Sequence, residues 1–105
     1  MPFNLQKATD ILNLKYEAKH IDPYSKQDGL DAEIPFTLDG EHLLIEISVN
    51  STSIIATEVH ALVIGPPIES GSLESIRLEK KSNSYLKHAK IVSLLGQIKT
   101  DLEIP

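Results

Sequence analysis

The dipeptide Asp39-Gly40 stands between two alternating runs, IPFTL before it and EHLLIEISV after it. A two-residue type I′ turn needs positive φ at both central positions, which Asp tolerates and Gly adopts freely, so the pair predicts a tight antiparallel hairpin. The turn also sets the register. Leu38 faces Glu41, Thr37 faces His42, Phe36 faces Leu43, Pro35 faces Leu44, Ile34 faces Ile45 and Glu33 faces Glu46. Ile34, Phe36, Leu43, Ile45, Ile47 and Val49 then share one face, as a buried face requires.

A third strand, roughly Ile54 to Ile64, follows the polar bridge NSTS, and two registers keep apolar residues on the core side. A three-residue loop, Asn50 to Thr52, would place β-branched Thr52 where Gly is normally wanted. A five-residue loop, Asn50 to Ile54, pairs Val49 with Ile55, Ile47 with Thr57, Ile45 with Val59 and Leu43 with Ala61, and is the preferred expectation. Asn50-Ser51-Thr52 also matches the N-glycosylation pattern, which in a chain without a secretory signal reads as a polar turn.

Around this meander the chain supplies helices. Asn4 can cap a helix with Leu5, Ala8, Ile11, Leu12 and Tyr16 on one side, limited by Pro23, with His20 expected at its end. DPYSKQDGLDAE, residues 22–33, reads as a loop. Its acids invite a calcium reading, but aligning Gly29 on the glycine of an EF-hand loop puts Tyr24 and Lys26 where oxygen ligands belong. After Gly65-Pro66-Pro67, SLESIRLEK (72–80) fits an edge strand with Ile76 and Leu78 inward, and fits a short helix almost as well. Ser82 or Ser84 then caps a last helix with Tyr85, Ala89, Val92, Leu95, Ile98 and Leu102 in its apolar stripe, His88 at the core edge, and Gly96 inward against the sheet. The expected fold is a single α+β domain over residues 1–105: a two-layer sandwich with an N-terminal helix, an antiparallel meander of three to four strands, and a C-terminal helix packed on one sheet face.

The chain has 105 residues, enough for one modest core. It lacks cysteine, which excludes disulfides and thiolate chemistry. No apolar run approaches the roughly 18 residues of a membrane span, and no signal-like segment opens the chain, so the expected setting is cytoplasmic, away from membranes. Net charge is −5. Residues 1–76 carry four Lys and twelve Asp/Glu, residues 77–105 six Lys/Arg and three Asp/Glu. An acidic body argues against nucleic acid, which wants a concentrated basic face, and suits a basic protein surface.

In the preferred register the outer sheet face carries the rows Glu33, Glu46, Glu58; then Pro35, Leu44, His60; then Thr37, His42, Leu62, with Ile64 beyond. Three carboxylates in line are mutually unfavourable by an amount comparable to the ~0.2–1 kcal/mol of a good cross-strand pair. Solvent screening would make the row an ordinary wet surface, and the shorter loop would dissolve it by setting Glu46 opposite Ala56. Alternatively, Glu33, Pro35, His42, Leu44, Glu46, Glu58, His60, Leu62 and Ile64 form a partner-binding face, an apolar centre with a charged border that takes another protein or a second copy. A third possibility is a metal held by His42, His60, Glu46 and Glu58, for which no spacing signature exists. Catalytic and cofactor motifs are absent: there is no G-x-S-x-G, no phosphate loop and no metalloprotease helix.

In size, charge and layout the chain resembles small acidic partner-binding proteins, such as type III secretion chaperones and bacterial toxin-immunity proteins. The resemblance implies an α+β domain that masks a partner, and no residue is carried over from it. The expected function is therefore non-enzymatic protein binding, as a homodimer, without a cofactor. The alternative is a small metal- or ligand-binding domain or enzyme built on the His/Glu cluster.

Overall fold

The computed structural model describes residues 3–66, 71 and 75–105. Pro67, and residues 72–74 of the segment expected to be strand or helix, lie outside them. The chain runs through helix α1 (Leu5–Tyr16), strands β1 (Lys19–Pro23), β2 (Gly29–Leu38), β3 (Glu41–Asn50), β4 (Ile54–Gly65) and β5 (Ser75–Lys80), a 3-10 turn (Asn83–Lys87) and helix α2 (Ala89–Asp101). All five strands join in sequence order into one antiparallel meander, curled into a half-barrel. The α+β class and the helix–meander–helix order are as expected; the strand count is one higher.

The extra strand is β1, which overlaps the expected loop only at Asp22 and Pro23 and otherwise takes the end of the expected first helix; β2 begins at Gly29, so residues 29–33 of that loop are strand as well. KHIDP is short, polar and ends in Pro, so it offers no alternation to read. It pairs with β2 across an irregularity between Lys19 and Asp22. His20 therefore lies in a strand, at φ 52, and does not end the helix. What ends α1 is Glu17, in the left-handed region at φ 55, with the Ala18 N–H bonded back to the Leu12 carbonyl at 2.9 Å. At the other end the Asn4 side chain accepts from the Lys7 N–H at 3.0 Å, the expected cap.

The β2–β3 hairpin has every expected pair, from Leu38 with Glu41 to Glu33 with Glu46. Asp39 and Gly40 take φ 50 and 84, the turn their sequence demanded. The β3–β4 pairing combines a register on each side of a bulge. Leu43 pairs with Ala61, Ile45 with Val59 and Glu46 with Glu58, as expected; beyond a shift between Glu46 and Ile47, Ile47 pairs with Ala56 and Val49 with Ile54. Ile55 and Thr57, expected to face inward, are exposed. The cause is parity: Ile54 and Ala56 must share the inner face with Val59 and Ala61, and even and odd positions can do so only if one residue is extra. The loop is stabilised by the Asn50 side chain, whose Oδ1 accepts from the N–H of both Thr52 and Ser53 at 2.9 Å.

The core lies between the inner sheet face and both helices. Leu12 of α1, Leu30 and Ile34 of β2, Ile45 and Ile47 of β3, and Ile91 and Ile98 of α2 are all fully buried. The last helix begins later than expected. Its cap is His88, whose Nδ1 accepts from the Lys90 N–H at 3.1 Å, and Asn83–Lys87 forms the 3-10 turn instead. Ile98 is buried and Tyr85, Leu95 and Leu102 pack against the core as expected, while Ile91 is buried and Val92 is exposed. Gly96 is exposed too, with open space where a Cβ would stand, so it serves no close approach. The helices are tied by Tyr16 Oη, which donates to Asp101 Oδ2, and by Lys15 Nζ at 2.7 Å from the same carboxylate.

Candidate functional site

Because both helices lie on the inner face, the outer face shows what the strands project. The row of carboxylates is there: Glu33 pairs with Glu46, and Glu46 with Glu58. Its ends have basic neighbours. His20 Nδ1 lies 2.5 Å from Glu33 Oε1, Lys80 Nζ 3.2 Å from Glu58 Oε1, and His60 Nε2 3.5 Å from Glu58 Oε2. Among the described residues the central Glu46 forms no ion pair.

Partial burial, and then a hydrogen bond to Glu58 and repulsion from it, push the Glu46 carboxyl above its ordinary range. Glu58 moves the other way, lowered first by Lys80 and next by the hydrogen bond from Glu46. The two titrate as one unit in which a shared proton favours Glu46 and the charge favours Glu58.

The row lies in a shallow groove of about 490 Å³, lined also by Asp22, Asp31, Ser48 and Thr57. Five carboxylates thus border one depression. Asp31 Oδ1 accepts from both Tyr24 Oη and Ser48 Oγ at 2.7 Å. A larger hollow of about 680 Å³ opens at the far end, between Phe3, Lys7, Thr52 and Ile104, but its charged pair, Lys7 with Glu103 at 3.0 Å, is already matched. Its size does not make it the better candidate, since it gathers no convergent functional groups.

Next along the face, Pro35, Leu44, His60 and Lys80 form a second row. Leu44 is only 8% exposed, so the neighbouring side chains cover it. Beyond it the face becomes apolar. Leu62 pairs with Leu78 and Ile64 with Ile76, and their exposures are 42%, 51%, 67% and 72% respectively. Ile76 and Leu78 were expected inward; register overrules the expectation, since cross-strand partners share a face and Leu62 and Ile64 face out. His42 is exposed at the near edge, its Nδ1 3.2 Å from Thr37 Oγ1.

All nine residues singled out in the sequence lie on this outer face. The structure adds His20 and Asp22, hidden because β1 carries no strand pattern, Asp31, which lies on the part of β2 expected to be loop, and Ile76, Leu78 and Lys80, whose facing depends on pairing with β4. Glu46, Glu58 and His60 bring one donor atom each within 4.8 Å of one another, a geometry that could hold a divalent cation. His42, the fourth ligand considered, is not in that group.

The chain matches no protein-family model, no curated protein and no solved structure. Among the described residues no helix is long and apolar enough to cross a membrane.

Proposed function

We propose that this chain is a non-enzymatic binding module, set in the cytoplasm, that docks another protein on its outer sheet face. One observation carries the reading: four large aliphatic side chains, Leu62, Ile64, Ile76 and Leu78, stand side by side and exposed at one end of a face whose other end is an acidic groove. Contiguous apolar surface bordered by charge marks interaction sites on soluble proteins. The acidic half would steer a basic partner and the aliphatic half would hold it. The test is affinity capture from the native host with the parent and a Leu62→Asp/Ile64→Asp variant. Partners that the parent retains in low salt and the variant loses support the reading; identical sets from both refute it.

A second reading rests on Glu46, Glu58 and His60. A cation there would favour the ionised form of Glu46 and compete with Lys80 for Glu58. Calorimetric titration with Zn²⁺ decides it, with His60→Ala expected to abolish any binding at this trio. Heat unchanged in that variant places the metal elsewhere.

A further inference from the structure

We infer that the open edge of β5 pairs with β5 of a second copy of this chain, antiparallel about a twofold axis at Leu78, to give one continuous ten-stranded sheet. The inference concerns the edge and stands apart from the docking reading of the face. The sheet order leaves two edges, β1 and β5. β1 is a poor template: its pairing is irregular between Lys19 and Asp22, His20 sits at positive φ, and Pro23 has no N–H. Such features are how natural edges are blunted. β5 is regular throughout its pairing with β4, and five of its six residues are exposed.

The backbone shows which groups are free. The Lys81 N–H donates to the Val59 carbonyl at 2.8 Å, in register with the β4–β5 ladder. Alternation in an antiparallel ladder then turns the N–H and C=O of Arg77 and Glu79 toward β4, and those of Ile76, Leu78 and Lys80 toward the open edge.

Charge selects the register. A twofold axis perpendicular to the sheet keeps each side chain on its own face, so outer residues meet outer residues. Centred on Leu78, the pairing sets Leu78 against Leu78, Ile76 against Lys80 and Arg77 against Glu79 of the second copy, twice over. All three outward-pointing residues then find partners. Centring it on Arg77 would oppose two guanidinium groups, which is unfavourable. Arg77 and Glu79 are exposed, and among the described residues neither forms an ion pair.

Sedimentation equilibrium from micromolar to millimolar concentration tests this on the full chain. The parent should dimerise. Arg77→Glu alone, or Glu79→Arg alone, turns both attractive pairs repulsive and should weaken the dimer by about tenfold or more, and the double swap should restore it. Leu62→Asp/Ile64→Asp, which alters the face and not the edge, should leave the dimer in place. The inference is overturned by a parent that stays monomeric, by a dimer indifferent to the single reversals, or by a double swap that restores nothing. A dimer lost only in the face variant would put the second copy on the face, and also overturns it. Circular dichroism of each variant verifies the fold.

Discussion

Replacing Glu46 by Gln should stabilise the protein at neutral pH and leave it unchanged in acid. Glu46 lies between Glu33 and Glu58 in the outer row, and burial, together with Glu58, raises its carboxyl above the ordinary value of 4.5. A carboxyl whose folded pKa is raised binds its proton more readily in the folded chain, so its ionisation opposes folding. That penalty is absent below the unfolded pKa, grows as pH rises through the window up to the folded pKa, and is fully present above it. Gln cannot ionise, yet its amide can donate to Glu58 as the protonated acid does. The magnitude follows from two like-charge cross-strand contacts of about 0.2–1 kcal/mol each, reduced by the basic groups already beside Glu33 and Glu58, which suggests a gain near 0.5–1 kcal/mol. Urea denaturation across the acid-to-neutral range measures it, with unchanged slope as the sign that only stability moved. A Gln variant less stable at neutral pH, or a difference that does not vary with pH, would refute the shared-proton account.

Ile45→Ala removes a fully buried side chain paired with Ile34 and Val59 and should cost about 2–5 kcal/mol in chemical denaturation; a loss under about 1 kcal/mol would contradict the packing. Asn50→Ala leaves the N–H groups of Thr52 and Ser53 without their acceptor and should cost about 1–2 kcal/mol, with faster amide exchange at those two positions as the local signature. Tyr16→Phe cuts the bond to Asp101 and should cost about 0.5–1.5 kcal/mol. Asp101, held below the usual carboxylate range first by Lys15 and then by Tyr16, should move upward in an NMR titration of that variant. Deleting Thr57 should leave a cooperatively folded protein, because removing the bulged residue makes the β3–β4 register continuous and keeps every side chain on its face. Deleting Ala61 from the same strand inverts the residues after it and should be far more damaging; equal damage from the two would deny the bulge.

What could be read from the sequence, and what could not, divides along the range of the interactions involved. The Asp39-Gly40 turn is decided by two residues' own backbone preferences, so the hairpin register, and with it the pairing of Glu33 with Glu46, follows from local chemistry. Asn4 as a cap is local in the same sense. The β4 bulge depends on a conflict of parity between Ile54 and Val59 that appears only when both are fitted to one partner strand. β1 forms because β2 offers an edge to it, not because KHIDP favours a strand. The start of α2 was missed because Ser82 and Ser84 are ordinary caps and His88 is not, and the burial of Ile91 rather than Val92 is decided only by packing against the sheet. Ile76 and Leu78 alternate correctly, but alternation does not say which side is out; the register with Leu62 and Ile64 does.

That last point bears on why the outer face looks as it does. Folding asks β4 and β5 for strand-forming residues at positions 62, 64, 76 and 78, and Thr would satisfy that demand while remaining wettable. Aliphatic residues there add nothing to the inner core, since none of the four contributes to it. The same holds for Glu46, where an uncharged polar residue would relieve the row without disturbing the pairing. Both halves of the face thus carry side chains that the isolated fold does not need, one half costing electrostatic energy and the other exposing oil to water. Natural domains depart from locally consistent choices chiefly where function requires it. Two independent departures, of opposite chemical character and on adjoining rows of one sheet, would both be accounted for by the partner proposed for this face, since nothing beneath the face calls for either.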